Sequence, residues 1–264
     1  MKTIQKMIGP RKQKILDYIC RKGFATPDEL ARRHNVAAIT VRRDLIRLEK
    51  EGLLKRVHGG AIPGNTPAMT HVRVRMRIAS DAKHAIAVAA AALVRPGERL
   101  FIDAGSTCCF FAEALPDDLN LTVVTLSLDV INTLQHKHGI SIITPGGELD
   151  ERLNAFVGSV AETAIAAFHV DKVFLGTSGI DPAAGFTDNS PFEERTKTLI
   201  AGHARETFVL ADSSKFGKIA FRSVMPLNSV SQIITDAGMP DRFCAVLRRK
   251  GVRVVIAKAG NGET

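Results

Sequence analysis

Seven short apolar segments recur from residue 99 onward, and helical patterns separate most of them. Each is rich in Val, Ile, Leu or Phe and has the length of a buried strand. The segments are RLFID (99–103), LTVVT (121–125), ISIIT (140–144), KVFLG (172–176), TFVLA (207–211), SQIIT (231–235) and VRVVI (252–256). Strands that alternate with helices predict a mainly parallel sheet covered on both faces, a Rossmann-like α/β domain.

The loops that follow these strands are the places to look for a ligand, because open α/β sheets bind ligands beyond the carboxyl ends of their strands. Four loops carry residues that could bind a ligand. Three combine glycines with hydroxyls or acids, DAGST (103–107), PGGELD (145–150) and GTSGID (176–181), and the fourth, ADSSKF (211–216), has an acid, two hydroxyls and a lysine. One such loop alone is more often an ordinary turn. Four on one sheet edge favour a pocket for a phosphorylated small molecule, with the phosphate at the DAGST loop and the following helix N-terminus.

The positive charge of the chain is confined to its first segment. The net charge is +9, and residues 1–60 contain 15 Lys and Arg against 6 Asp and Glu, whereas the remainder contains 21 of each. A clustered excess indicates a polyanionic partner, while a uniform one indicates only solubility. A basic nucleic-acid-binding unit on a neutral body therefore fits better than a membrane-surface protein.

The basic segment has the pattern of a winged helix-turn-helix. Helical spacing predicts a first helix over 11–22. A capping box, formed by Thr26, Pro27 and Glu29, predicts the start of a short second helix, PDELARRH. A third helix is predicted to begin near Ala38. LLKRV followed by HGG predicts a strand and a tight turn, the wing. In this fold the last helix enters the major groove of DNA.

The third helix has an apolar stripe (Val41, Leu45, Leu48) and a separate polar face with Thr40, Arg43, Arg47 and Lys50. A basic helix face is usually only solvated. Here it coincides with the capped preceding helix, the glycine turn and the charge asymmetry, so DNA binding is the better interpretation.

The stretch ITVRRDLIRLEKEGLLKRVHGGA resembles the signature of the DeoR-type bacterial transcription regulators, which runs T-[IV]-R-R-D-L, L-x-x-x-G, R-V-H-G-G-A. The resemblance implies that Asp44 pairs locally to hold the module together. It also implies a DNA-binding set on the recognition helix and wing: Thr40, Arg42, Arg43, Arg47, Lys55, Arg56 and His58.

The resemblance continues to about residue 236 through FIDAGSTCCFFAEAL, VVTLSLDV, PGGELDERLNAFVG, VFLGTSGIDPAAGFT and VLADSSKFGKIAF. These are similar to motifs of the family's sensor domain, which resembles ribose-5-phosphate isomerase in fold and recognises phosphorylated sugars. The implied ligand-binding residues are Asp103, Gly105, Ser106, Thr107, Gly146, Gly147, Gly176, Ser178, Glu193, Asp212 and Lys215.

Four positions depart from the family pattern. Ala37 replaces a common serine before the recognition helix, which removes a cap and a potential phosphate contact. Cys108 and Cys109 replace threonine-like residues, and Leu126 replaces an asparagine. The adjacent cysteines suggest either a redox role or, more simply, small buried hydrophobic residues.

The leading hypothesis is a DNA-binding regulator, a repressor of a carbohydrate operon, that is controlled by a sugar phosphate and acts as a dimer or tetramer. Alternatives are a sugar-phosphate isomerase with a nucleic-acid-binding tether, and a DNA-binding protein whose pocket has decayed. The predicted boundaries are 1–62 for the winged helix-turn-helix, 63–77 for a linker and 78–264 for the sensor. Residues 237–264 suggest only a last strand and a frayed tail.

Composition narrows the remaining options. The longest apolar run, AIAVAAAALV, has ten residues, fewer than the roughly 20 that a membrane span requires. The N-terminus lacks the apolar core of a secretion signal, and the four cysteines lack metal-ligand spacing. We therefore expect a cytoplasmic protein without a membrane partner, a metal or another cofactor.

Overall fold

The structure is a computed structural model that describes residues 9–22, 24–51, 53–57, 59–63, 72–76 and 78–258. By their internal contacts the residues divide into two units, Met1–Ala79 and Ser80–Thr264. Each unit has its own core and is described separately.

The N-terminal unit contains three helices followed by a two-stranded antiparallel ribbon, as the sequence predicts. The elements are α1 (Pro10–Lys22), α2 (Pro27–His34), α3 (Ala38–Lys50), β1 (Leu54–Val57) and β2 (Gly60–Pro63), and a short helix α4 (Val72–Arg75) follows. Gly59 has the positive φ that the turn between β1 and β2 requires. A side chain at Gly60 would come within 2.5 Å of the carbonyl oxygen of Ala25. The second glycine therefore permits the ribbon to approach the α1–α2 connection.

Helices α2 and α3 differ in how their N-termini are capped. The hydroxyl of Thr26 accepts a hydrogen bond from the backbone N–H of Glu29 at 3.1 Å, which is one half of the predicted capping box. The Glu29 carboxylate contacts Tyr18 and Lys22 of α1 and also accepts a hydrogen bond from the backbone N–H of Thr26, which is the other half of the box. Helix α3 begins after Ala37, which provides no side-chain cap. The absence of the family's serine therefore leaves this helix end uncapped by a side chain.

The core of the N-terminal unit forms where the apolar stripes of the three helices meet. Val41, Leu45 and Leu48 of α3 are buried together with apolar residues of α1, α2 and the ribbon. Asp44 is also buried, and its carboxylate accepts a hydrogen bond from Nε of Arg11 at 2.8 Å. This contact ties α3 to α1 and confirms that Asp44 pairs within the module.

The C-terminal unit is an α/β domain around one parallel sheet. Its helices are α5 (Ser80–Ala91), α6 (Ser106–Ala114), α7 (Leu128–Leu134), α8 (Ser159–Ile165), α9 (Pro191–Gly202) and α10 (Asp241–Arg249). The strands of the main sheet are β3 (Arg99–Ile102), β4 (Leu121–Thr125), β5 (Ile140–Ile143), β8 (Val170–Leu175), β11 (Ala204–Leu210), β13 (Gln232–Asp236) and β14 (Arg253–Ala257). These seven strands correspond to the seven predicted apolar segments.

The order of strands in the main sheet is β14-β13-β11-β8-β3-β4-β5, and every pairing is parallel. Along the chain, β3 is the first strand of the main sheet. Strands β4 and β5 are added on one side of β3, and β8 is then added on its other side. The switch point, where the direction of strand addition reverses, therefore lies between β3 and β8. Ligands of open α/β sheets bind in the crevice at such a point.

Two smaller sheets lie outside the main sheet. One is the hairpin of β6 (Glu148–Asp150) and β7 (Ala155–Val157), and the other contains β9 (Gly179–Asp181), β10 (Gly185–Asp188) and β12 (Arg222–Met225). The three-stranded sheet brings the segment Gly179–Asp188, which follows β8, to the switch point. It also brings this segment close to the loop after β11. A hydrogen bond of 2.8 Å from the N–H of Gly217 to the carbonyl of Ile180 joins these two loops.

One local prediction requires correction, and part of the predicted linker is helical. Helix α10 occupies part of the segment 237–264, for which the sequence suggested only a strand and a tail; its amphipathic pattern buries Phe243 and Leu247. Residues Val72–Arg75, inside the predicted linker 63–77, form α4, and residues 64–71 and 77 lie outside the described residues.

The neighbours Leu45 and Ile46 test the role of the N-terminal core. Leu45 is 1% exposed and Ile46 is 37% exposed. We predict that Leu45→Ala lowers the free energy of unfolding by about 2–5 kcal/mol because it leaves a cavity, whereas Ile46→Ala changes it by no more than about 0.5 kcal/mol. Urea unfolding followed by tyrosine fluorescence measures this unit alone, since Tyr18 is the only tyrosine and the chain has no tryptophan. Equal losses in the two variants would contradict the assignment.

Candidate functional site

The candidate ligand site lies at the switch point, where the loops after β3 and β8 meet. The N–H of Asp103 donates to the carbonyl of Phe174 at 3.0 Å, which extends the pairing of the strands by one residue. The N–H of Gly176 donates to Oδ2 of Asp103 at 2.9 Å. Two residues that the sequence placed in separate loops are therefore in direct contact.

A buried lysine connects this pair to two further carboxylates. Nζ of Lys197, on α9, lies 2.6 Å from Oδ2 of Asp188, 3.2 Å from Oδ2 of Asp103 and 3.7 Å from Oε1 of Glu193. It also donates to the carbonyl of Gly176 at 2.9 Å. The Lys197 side chain is only 2% exposed. We call Lys197, Asp103, Asp188 and Glu193 the charge cluster.

The electrostatics of the charge cluster keep its lysine protonated. Burial by itself lowers the pKa of the Lys197 ammonium, but the carboxylates of Asp103, Asp188 and Glu193 outweigh burial and raise that pKa above its ordinary value. One ammonium faces three carboxylates, so the cluster has an excess of hydrogen-bond acceptors. Acceptors of this kind suit the hydroxyl groups of a polyol and repel a phosphate.

Ser178 is linked to the same cluster through its backbone. Its N–H donates to Oδ1 of Asp188 at 2.8 Å, while Oδ2 of Asp188 contacts Lys197. The structure therefore brings together Asp103, Gly176, Ser178 and Glu193 of the sequence-predicted set.

The two glycines at the switch point lie where the backbones of the two loops approach closely. A Cβ at Gly105 would lie 3.3 Å from the Cα of Gly176, so a side chain there would require a shift of a few tenths of an ångström. A Cβ at Gly176 would lie 3.4 Å from the Cα of Gly105, which is an ordinary van der Waals contact. The role of both glycines in ligand binding stays a prediction.

Ser106 and Thr107 form the first turn of α6 directly behind Gly105. Both are largely buried, at 7% and 5% exposure, and the Gly105 N-cap provides no side-chain hydrogen bond. The amides of a helix start bind anions well, because the helix dipole places positive charge there.

The two cysteines of α6 are part of the packed interior. Cys108 and Cys109 are 0% and 2% exposed, and Sγ of Cys108 lies 3.7 Å from the carbonyl oxygen of Phe174. Burial, followed by the charges of Asp103 and Cys109, raises the pKa of the Cys108 thiol well above its ordinary value. A thiol with a raised pKa is unreactive, so the structure favours the packing role over the redox role. Leu126 is likewise buried, at 4% exposure, in the main core.

Gly146 and Gly147 lead into the hairpin of β6 and β7, and both have positive φ angles. A side chain at Gly147 would lie 2.6 Å from the carbonyl oxygen of Val157. The far strand of the hairpin packs against the switch-point loops: Leu153, Ala155 and Val157 form an apolar cluster with Ala104 and Phe192. The hairpin is thus next to the charge cluster.

Asp212 and Lys215 form a second polar group, after β11. The Asp212 carboxylate accepts a hydrogen bond from the N–H of Ser214 at 3.0 Å and caps a 3-10 turn, Ser213–Lys215. Burial acts to raise the pKa of Asp212, but the charges of Lys215 and Lys83 outweigh it and the pKa is lowered. Lys83, on α5, is 3% exposed.

Sequence reasoning missed Asp188, Lys197 and Lys83. The segment PFEERTKTL around Lys197 has the composition of an ordinary charged surface helix, and no local pattern marks its lysine as buried. Only the pairing of β10 with β9, combined with the position of α9, places Asp188 and Lys197 beside Asp103.

The predicted DNA-binding residues of the N-terminal unit lie on α3 and on the wing. Arg42, Arg43 and Arg47 are exposed on α3, and Thr40 is half-buried at its flank. Lys55 and Arg56 are exposed on β1, and Arg56 also forms an ion pair of 2.7 Å with Glu49 at the end of α3. This pair fixes the wing against the helix. His58 lies outside the described residues.

Family models match both units. A model described as the DeoR-like helix-turn-helix domain matches residues 11–65, and one described as the DeoR C terminal sensor domain matches residues 78–237. The chain belongs to the DeoR family of transcriptional regulators. The resemblance stated from the motifs is thereby confirmed for both units.

Curated relatives of this DeoR-family chain match over nearly its whole length. The chain is 35% identical to the uncharacterized HTH-type transcriptional regulator YulB of Bacillus subtilis, over 94% of this chain and 96% of the relative. It is 34% identical to the glycerol-3-phosphate regulon repressor of Escherichia coli, over 88% of this chain and 92% of the relative. These relatives are regulators, so they do not support the isomerase alternative.

Solved structures with similarity to the chain include a ribose 5-phosphate isomerase of Methanocaldococcus jannaschii, at 21% identity, with a TM-score of 0.38 over 52% of this chain and 54% of that one. A probable sor operon regulator of Shigella flexneri matches at 10% identity, with a TM-score of 0.42 over 61% of this chain and 86% of that one. The fold assignment depends on the strand order and the family models rather than on these matches.

The described residues lack two features, a membrane-spanning helix and a metal-binding cluster. None of their helices has the length and apolar character of a membrane span. They also contain no group of three or more His, Cys, Asp and Glu side chains arranged to hold a metal ion.

Replacement of the central lysine tests the charge cluster. We predict that Lys197→Met lowers the free energy of unfolding of the C-terminal unit by about 3–5 kcal/mol, because it leaves buried carboxylates without their cation. Lys218→Met, at an exposed position, is the matched control and changes stability by no more than about 0.5 kcal/mol. Urea unfolding followed by circular dichroism gives both values.

A second variant separates lost charge pairing from lost packing. Adding Asp188→Asn to Lys197→Met removes one of the unpaired charges, and we expect it to restore part of the lost stability. If the double variant is less stable than Lys197→Met, charge imbalance is not the cause of the loss.

Proposed function

We propose that this regulator binds operator DNA through α3 and the wing, and that a phosphorylated sugar bound at the switch point controls that binding. The observation that carries the proposal is the position of the charge cluster beside the start of α6 at the reversal of the sheet. The charge cluster offers acceptors for hydroxyl groups, and the start of α6 offers donors for an anion.

The opposite charges of the charge cluster and of the start of α6 favour one orientation of the ligand. A phosphate is repelled by Asp103, Asp188 and Glu193, so it belongs at the amides and hydroxyls of Ser106 and Thr107. The carboxylates of Asp103 and Glu193 then accept hydrogen bonds from sugar hydroxyls.

The remaining predicted ligand residues surround this arrangement. Gly146, Gly147, Gly176 and Ser178 would provide backbone groups close to the sugar, and Asp212 and Lys215 would face it from the loop after β11. A lysine there adds positive charge for the phosphate.

Control of DNA binding requires that the ligand prefers one of two arrangements of the regulator. The relatives include both directions of control: the glycerol-3-phosphate regulon protein of Escherichia coli is named a repressor, and the L-fucose operon protein of Haemophilus influenzae is named an activator. We infer that this chain represses a carbohydrate operon and acts in the cytoplasm. We also infer a homo-oligomer, because helix-turn-helix modules act in pairs on repeated half-sites.

Thermal unfolding of the full chain with a panel of sugar phosphates and their unphosphorylated counterparts tests the ligand. A ligand at 100 times its Kd should stabilise the chain by about 2.7 kcal/mol, and the phosphorylated member of a pair alone should do so. Ser106→Ala should reduce the shift in melting temperature. If no phosphorylated sugar shifts the transition, or if sugars act equally well without phosphate, the ligand assignment is wrong.

Two substitutions in the N-terminal unit test the DNA interface separately. On a duplex that the wild-type chain selects from a random-sequence library, Arg43→Ala should weaken binding by about 1–3 kcal/mol and relax base preference at one position. Lys55→Ala should weaken all duplexes alike and reduce the slope of log affinity against log salt by about one. Unchanged base preference in Arg43→Ala would remove Arg43 from the base-reading set.

A further inference from the structure

The exposed face of α3 contains two isoleucines that the core does not use. Ile39 is 56% exposed and Ile46 is 37% exposed, whereas Val41, Leu45 and Leu48 supply the buried stripe. An amphipathic helix normally places polar residues opposite its buried stripe. Ile39 is therefore on the side of the helix where an aliphatic side chain contributes least to the fold.

Helical geometry places these isoleucines at the centre of the cationic face. At 3.6 residues per turn, Ile39, Ile46 and Lys50 project within about 40° of one another, directly opposite the buried stripe. Arg42, Arg43 and Arg47 flank them and are also exposed. The face is thus aliphatic at its centre and positively charged on both sides.

This combination fits the major groove of DNA better than a protein surface. Two isoleucines separated by two turns and surrounded by cations do not form the continuous apolar patch that marks a protein interface. Phosphates line both edges of the major groove, and its floor presents one apolar group, the C5-methyl of thymine. The charges and the aliphatic groups of α3 match these two features together.

Ile39 is the better placed of the two isoleucines. Recognition helices contact base edges with their N-terminal residues, and Ile39 is the second residue of α3. The residues before it are Ala37 and Ala38, whose small side chains do not hold the helix start away from the groove. Ile39 is therefore the first large side chain on this face.

We propose that Ile39 selects thymine by packing against its C5-methyl group in the major groove. The inference rests on the proposed DNA-binding role of α3 and adds to it a base preference that the arginines do not provide. Arg43 would read a guanine through hydrogen bonds, while Ile39 would recognise a thymine through apolar contact.

A cycle of substitutions in both protein and DNA tests the contact. A duplex is first selected from a random-sequence library by the full wild-type chain, and each thymine is then replaced in turn by deoxyuridine, which lacks only the methyl group. At one thymine the wild-type chain should bind the deoxyuridine duplex about fourfold more weakly, the factor expected for burial of one methyl-sized group. Ile39→Ala should bind the two duplexes equally.

The controls separate this contact from general effects. Ile39→Ala should keep the thermal stability of the wild type, because the side chain is exposed. Ile219→Ala removes an aliphatic side chain that is 66% exposed in the other unit, and it should keep the full dependence on the methyl group.

Three outcomes are distinguishable. A methyl dependence at one thymine that disappears only in Ile39→Ala supports the proposal. If wild type and Ile39→Ala respond alike to every deoxyuridine, the Ile39 contact is excluded and the DNA-binding function stands. If the wild-type chain selects no sequence, the proposed function fails and the inference fails with it.

Discussion

The reversal of strand order between β3 and β8 is the constraint on which the candidate site of the C-terminal unit depends. A parallel sheet that grows first to one side and then to the other leaves its central loops uncovered by a crossover. The loops that begin at Asp103 and Gly176 meet at this point through a hydrogen bond, and their backbones approach closely at Gly105. The position of the site therefore follows from topology, and its chemistry from the few side chains that reach it.

A buried charged group in this position is stable only beside groups of opposite charge. Removing an ammonium from water costs several kcal/mol, and the carboxylates of Asp103, Asp188 and Glu193 offset that cost for Lys197. The same contacts hold Asp103 against Gly176 and Asp188 against Ser178, so Lys197 fixes the loops in place. Lys197 therefore holds the loops of the candidate site, in which the carboxylates outnumber the ammonium.

Much of the fold could be predicted from local patterns, because each strand and helix has its own period and caps. Seven apolar segments became seven strands, and Thr26 and Gly59 marked a helix start and a turn. Lys197 and Asp188 could not be predicted, since their burial depends on which strands pair and not on neighbouring residues. Ile39 was missed for a different reason: it lies outside the apolar stripe of α3, and only polar and basic side chains were assigned to the DNA-binding face.

The central claim is that a ligand at the switch point changes the affinity of the N-terminal unit for DNA. The most direct measurement is the operator affinity of the full chain over a range of concentrations of the sugar phosphate that stabilises it. Linkage requires that the ligand changes operator affinity by the same factor as the operator changes ligand affinity, about 5–150-fold for typical coupling energies. A ligand that binds, with operator affinity unchanged at saturation, would contradict the claim.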